Sequence, residues 1–158
     1  MSNYLFAIGE RSKIDILKSK YSYSKEVTVT EISSNVSALT VEKIAETISP
    51  GPLDSSNFSF YAKGFAINNE AKQMYLGKKG FKILFDNSDN FDLETLGNEW
   101  EGAFTLALWN SDRAFIKTDL YCMSTLLYFF ERDIMVCSDS LYVLTKMREA
   151  LGLECIID

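Results

Sequence analysis

The chain has 158 residues, 47% of them apolar and 24% charged, which suits one soluble globular domain with a sizeable core. Its net charge of −6, with 16 basic residues scattered along the chain, argues against a nucleic-acid or anionic-membrane surface. There is no histidine, which removes Ser-His-Asp and Cys-His catalysis and the commonest zinc sites together.

Tyr4 to Ile8 is a short apolar run stopped by Gly9 and suits a buried first strand. No basic n-region or long apolar h-region precedes it, so no secretory signal is read there. No run approaches the length of a transmembrane helix. Ser12 is placed to cap a brief helix through Leu17. Val27 to Ile32 alternates apolar and polar residues and is rich in β-branching, the pattern of a half-buried strand. Thr40 then reads as the N-cap of a helix opening at Val41. Pro50 to Asn57 holds both prolines and reads as a loop.

Phe58 to Ile67 is a strand and Asn68-Asn69-Glu70 a turn. Lys72 to Gly77 and Phe81 to Phe85 read as a further strand pair around a Lys-Lys-Gly turn. Asp86 to Asp92 is acidic and polar, but it lacks the glycine and closing glutamate of an EF-hand, so it reads as a solvated loop. Ala103 to Trp109 and Ala114 to Thr118 form a hairpin around Asn110-Ser111-Asp112-Arg113. Thr125 to Phe130 and Ile134 to Ser138 complete a four-strand meander, with Glu131-Arg132-Asp133 as the turn. Leu141, Leu144, Met147 and Leu151 then recur at helical spacing as a core-facing stripe, with Gly152 as the stop. Arg148 and Glu149 fall on the opposite, solvated face.

Cys122, Cys137 and Cys155 form no CxxC pair and read as reduced, partly buried thiols of a cytoplasmic protein. No GxxxxGK[ST] or GxGxxG loop supports a nucleotide site, and no metal or cofactor is expected. No internal repeat or domain linker interrupts residues 1–158, so a single domain is expected.

Taken as a unit, Trp100 to Met147 resembles the second half of the N-terminal glutaminase domain of asparagine synthetases and lasso-peptide cyclases. The family has a glycine, an F-A-(L/F)-A-(L/I)-W-D strand, an R-D-x-x-G turn, a P-L-Y-Y strand and an F-A-S-E strand end before a helix. Those places hold Gly102, FTLALWN from Phe104, Thr118-Asp119, LLYFF from Leu126 and VCSDS from Val136. The resemblance covers less than half of the chain, with a weaker echo at the N-terminus. It implies an α+β fold of the N-terminal-nucleophile (Ntn) type, an αββα sandwich of two antiparallel sheets between helical layers. Asp119 takes the place of the turn aspartate and is expected to be structural, fixing the turn through backbone N–H groups. Thr118 stands where the family has arginine, and no glycine closes the turn.

In such a fold the residue after Met1 supplies the nucleophile and its free α-amine manages the proton. The family begins Met-Cys-Gly; here Ser2 takes the cysteine's position, and a hydroxyl is the poorer nucleophile. The family grips the glutamine carboxylate with an arginine on a mid-domain strand, yet no arginine lies between Arg11 and Arg113. Asn68-Asn69-Glu70 is a distorted echo of its Asn-Gly-Glu oxyanion turn, and Asp89 is the one candidate for its amine-binding acid. The resemblance therefore implies a retired glutaminase that acts as a structural or docking module. Its partner would be an ATP-dependent amide-forming enzyme, in cis or in trans, because no Ser-Gly-Gly-x-Asp-Ser loop occurs here. The alternatives are an Ntn amidohydrolase using Ser2 on another substrate, and an unrelated α+β binding protein. A homo-oligomer stays open, and the 13% aromatic content suits a core plus an exposed contact patch.

Overall fold

The computed structural model describes residues 4–20, 26–42, 53–54, 58–69, 72–87, 100–121 and 123–154. The described residues form an α+β fold, with two antiparallel sheets and three helices among them. It divides into two compact units, Met1–Gly51 with Leu126–Asp158, and Pro52–Thr125.

In the first unit, β1 (Tyr4–Glu10) lies centrally in a five-stranded sheet of order β2-β3-β1-β10-β9. β2 spans Glu26–Glu31, β3 Val36–Glu42, β9 Leu127–Glu131 and β10 Ile134–Ser138. Alternate residues of the strands (Leu5, Ala7, Leu39, Val41, Val136) join Ile14 and Leu17 of α1 (Arg11–Ser19) in one core cluster. Val143, Leu144 and Met147 of α3 (Leu141–Ala150) complete it. Each fully buried side chain of this kind contributes roughly 1.5–3 kcal/mol.

The boundaries expected here shift for identifiable reasons. Gly9 does not stop β1: the strand runs on to Glu10, and Gly9 is needed because a Cβ there would overlap the Asp133 carbonyl. The helix starts at Arg11 rather than being capped by Ser12, whose hydroxyl instead donates to Glu10 Oε1 at 2.6 Å. Thr40 caps no helix. Val36 to Glu42 is a strand flanked on both sides, where ladder bonds with β1 and β2 outweigh a local capping signal. Ser140, by contrast, does cap α3, accepting from Val143 N–H at 3.4 Å. Gly152 closes α3 as expected: at φ +69 it lets Leu153 N–H reach back to the Arg148 carbonyl. The stripe itself is rotated. Leu141 is 62% exposed and Val143 is buried in its stead. Arg148 is not simply solvated, since its guanidinium lies 5.3 Å over the Phe129 ring and bonds Glu131 Oε1.

The second unit carries the order β4-β5-β7-β8, with β6 also paired to β5. These are Leu53–Asp54, Ser59–Asn68, Trp100–Trp109 and Ala114–Thr118, with β6 at Gln73–Leu76. Within the expected proline loop, Leu53–Asp54 pairs with β5. Residues 77–86, read as the far side of a strand pair, form helix α2 (Gly77–Asp86). The i, i+3, i+4 spacing of Phe81, Leu84 and Phe85 decides this, because a helix places all three on one face. That face meets Phe58, Phe60, Trp100 and Phe104, with Phe60 and Phe85 edge to face at 4.8 Å. The expected four-strand meander is two hairpins in different sheets: β7 pairs with β8, and β9 with β10. Asn110 shapes the first hairpin loop, its side-chain oxygen accepting from Asp112 and Arg113 N–H.

Candidate functional site

Asp119, next after β8, is the most heavily bonded of the residues singled out in the sequence. It is only 2% exposed. Its Oδ2 accepts from Ser124 N–H at 3.0 Å and Phe104 N–H at 3.3 Å, and its Oδ1 from Met123 N–H at 2.8 Å. Its own N–H returns a bond to the Phe104 carbonyl at 3.1 Å. One carboxylate thus ties the end of β8, the middle of β7 and the start of the next segment. Thr105 and Ser124 hydroxyls meet alongside at 2.9 Å. Burial pushes the Asp119 pKa up, but the N–H groups of Met123, Ser124 and Phe104 outweigh it and hold the carboxyl below its ordinary value of 3.8. The side chain is therefore held as an anion by backbone N–H groups, which suits a structural role.

A second polar hub lies at the head of β1. The buried Ser138 hydroxyl donates to the Tyr4 carbonyl at 2.8 Å and accepts from Ser140 N–H at 3.2 Å. It couples the end of β10 to the start of β1 and to the cap of α3. Sequence reasoning passed over Ser138, although a small polar residue closing an apolar strand before a helix was a usable signal. Ser2 lies outside the described residues, and so do Asp89, Glu70, Cys122 and Cys155.

The remaining reactive groups are few. Cys137 is buried, and burial raises its thiol from 9.0 to about 12, so thiolate chemistry is closed to it at neutral pH. Arg11 pairs with Glu31 at 2.7 Å, Arg113 lies over Phe115, Arg132 sits at φ +48 in the β9–β10 turn, and Arg148 is held by Glu131. No arginine stands on β5, whose basic residue is Lys63. Asn69 donates its side-chain amide to Glu101 Oε1 at 2.7 Å. Among the described residues, no three Cys, Asp or Glu side chains converge as a metal site. No helix among them is long and apolar enough to cross a membrane.

No protein-family model matches the sequence, and no curated protein matches it. Solved structures do. Glutamine phosphoribosylpyrophosphate amidotransferase from B. subtilis, complexed with ADP and GMP, superposes with a TM-score of 0.59 at 14% identity. A structure described as the allosteric regulatory enzyme of purine biosynthesis gives 0.63, also at 14% identity. In both cases 94% of this chain is covered but only 43% of the neighbour, so the chain spans less than half the length of the proteins it resembles. At this identity the likeness concerns architecture alone. The fold is the Ntn type carried by glutamine amidotransferases.

Proposed function

We propose that this chain is a non-catalytic, glutamine amidotransferase-like domain. It serves as a structural or docking module for an ATP-dependent amide-forming enzyme of the asparagine synthetase kind, joined to it or met in trans. The observation that carries this reading is the placement of the arginines. All four stand on α1, on α3 or in hairpin turns, and none falls between Arg11 and Arg113, so no mid-domain strand offers the bidentate guanidinium grip on a substrate carboxylate. Ser2 in place of cysteine points the same way. The 43% coverage of both neighbours supports the idea of a module that works with further protein mass.

The test has two arms. Purified chain mixed with glutamine should release no ammonia above a Ser2→Ala control, and an ATP-using amide ligase should co-purify with it from its native cell. Ammonia release that Ser2→Ala abolishes would sink the proposal.

A second reading, an Ntn amidohydrolase using Ser2 on a substrate other than glutamine, is favoured by the fold and by a small hydroxyl residue after Met1. Intact mass separates the two early, because retained Met1 or an acetylated Ser2 removes the required free amine.

A further inference from the structure

One face of β3 carries buried polar groups that the packing of the first unit does not call for. Leu39 and Val41 join the core shared with α1 and α3. Thr40 and Glu42 alternate with them along the strand, so both side chains stand on the opposite face of the sheet. They are only 2% and 4% exposed there. The Thr40 hydroxyl has no hydrogen-bond partner among the described residues. Valine would fill the same volume without stranding a hydroxyl, so folding alone gives no reason for threonine. Glu42 is harder still to bury, because a carboxylate leaves water only against N–H donors or positive charge.

The neighbouring strands complete the surroundings. The register of β1 sets Tyr4 opposite Glu42 and Phe6 opposite Thr40, and both rings are buried. On the other side Thr28 of β2 stands opposite Thr40, and Thr30 shares its face. These two threonines are only partly buried, and β2 is the edge of the sheet, so solvent reaches the site from that side. All six residues belong to the first unit.

We propose that Thr40 and Glu42 form a binding site for a small primary alkylammonium ion. Successive same-face positions of a strand lie about 6.5–7 Å apart, so one nitrogen between them can donate to both the Glu42 carboxylate and Thr40 Oγ1. An ammonium brings three donors and no acceptor, which matches one acid and one stranded hydroxyl. A carboxylate or phosphate ligand would meet Glu42 as a like charge. A divalent metal would need more oxygen ligands than one carboxylate and one hydroxyl supply. The charge-assisted bond to Glu42 provides most of the attraction, and the Tyr4 and Phe6 rings offer the alkyl chain an apolar wall. The site requires neither a working Ser2 nor a ligase partner.

Amide NMR of the full chain during titration with n-butylammonium chloride tests this, with 1-butanol and sodium chloride of equal ionic strength as references. Butylammonium should shift the amides of Phe6, Thr28, Thr40 and Glu42 saturably, with Kd on the order of 1–10 mM for so small a ligand. Neither reference should do so. Glu42→Gln keeps the shape, removes the charge and should weaken binding at least about tenfold. Thr40→Val should weaken it about three- to tenfold. Valine at position 40 strands no polar group, so its loss of binding does not come from unfolding, and it decides the matter if Glu42→Gln fails to fold. No saturable shift up to about 50 mM would overturn the proposal and leave the Thr40 hydroxyl to a buried water. Equal shifts with 1-butanol, or an affinity unchanged in Thr40→Val, would overturn it as well.

Discussion

Replacing Asp119 by alanine removes an acceptor from three backbone N–H groups at once. Hydrogen bonds to a charged acceptor are each worth about 1.5–3 kcal/mol, and a donor stranded in the interior costs about 1–3 kcal/mol. The three are not equal. The Phe104 bond is buried, whereas those of Met123 and Ser124 are only partly so, and water can recover some of their loss. We expect Asp119→Ala to cost about 3–5 kcal/mol, a large share of the ~5–15 kcal/mol that holds a typical domain folded. Asp119→Asn keeps the volume but can satisfy only one of the two oxygen positions, setting an NH₂ group against an N–H donor. It should cost about 2–3 kcal/mol.

Urea unfolding followed by circular dichroism measures both variants, with stability taken from the shift in midpoint at constant slope. The pH dependence supplies an independent check. The folded carboxyl titrates below its ordinary value, so its stabilisation is complete above about pH 4 and is lost as pH falls through the folded pKa. Below about pH 4, wild type should therefore lose stability faster than Asp119→Asn, and the two curves should run parallel above it. A loss under about 1 kcal/mol for Asp119→Ala, or curves parallel throughout, would refute this account of the turn.

Gly102→Ala should destabilise by more than about 2 kcal/mol, because φ is +136 and the new Cβ would overlap the Phe65 carbonyl; thermal unfolding reads this directly. Cys137 should resist a thiol reagent such as DTNB at pH 8 and react only with denaturant present, because its thiol titrates near 12. Rapid labelling of Cys137 in the native protein would contradict its burial. Thr40→Val should stabilise by about 1 kcal/mol, since the buried Thr40 hydroxyl has no hydrogen-bond partner among the described residues and valine removes it at nearly constant shape. A destabilised variant on chemical denaturation would mean that the hydroxyl is satisfied.

Strands were legible where the signal was local. Ile134 to Ser138 and Ala114 to Thr118 are bounded by turn chemistry that sequence displays, and both fall where expected. Errors arose where partners decide the state. Thr40-Val41-Glu42 has acceptable helix-starting chemistry, but β1 on one side and β2 on the other hold it extended. Phe81 to Phe85 is a short apolar run, ambiguous between the two periods, and only the ring cluster it joins selects the helix. The assumed meander failed for a topological reason. Adjacent hairpins along the chain need not share a sheet, and the segment after Asp119 carries the chain from one sheet to the other. At the candidate site, the bonds of Asp119 follow from its motif, while those of Ser138 required knowing that β1 and β10 are neighbours.

Those two hubs also bear on how a scaffold could outlast its chemistry. Asp119 and Ser138 spend their polar groups on backbone partners, and Gly102 is fixed by a close approach between β7 and β5. None of these tasks involves a nucleophile, a carboxylate grip or an oxyanion donor. If the proposed reading holds, the residues that serve folding are separate from those that glutamine hydrolysis would need. This separation has a consequence that can be measured. Introducing an arginine on β5 and cysteine at position 2 should leave thermal stability within about 1 kcal/mol of wild type, whereas Asp119→Ala should not. If the two introduced residues unfold the protein, scaffold and pocket are coupled.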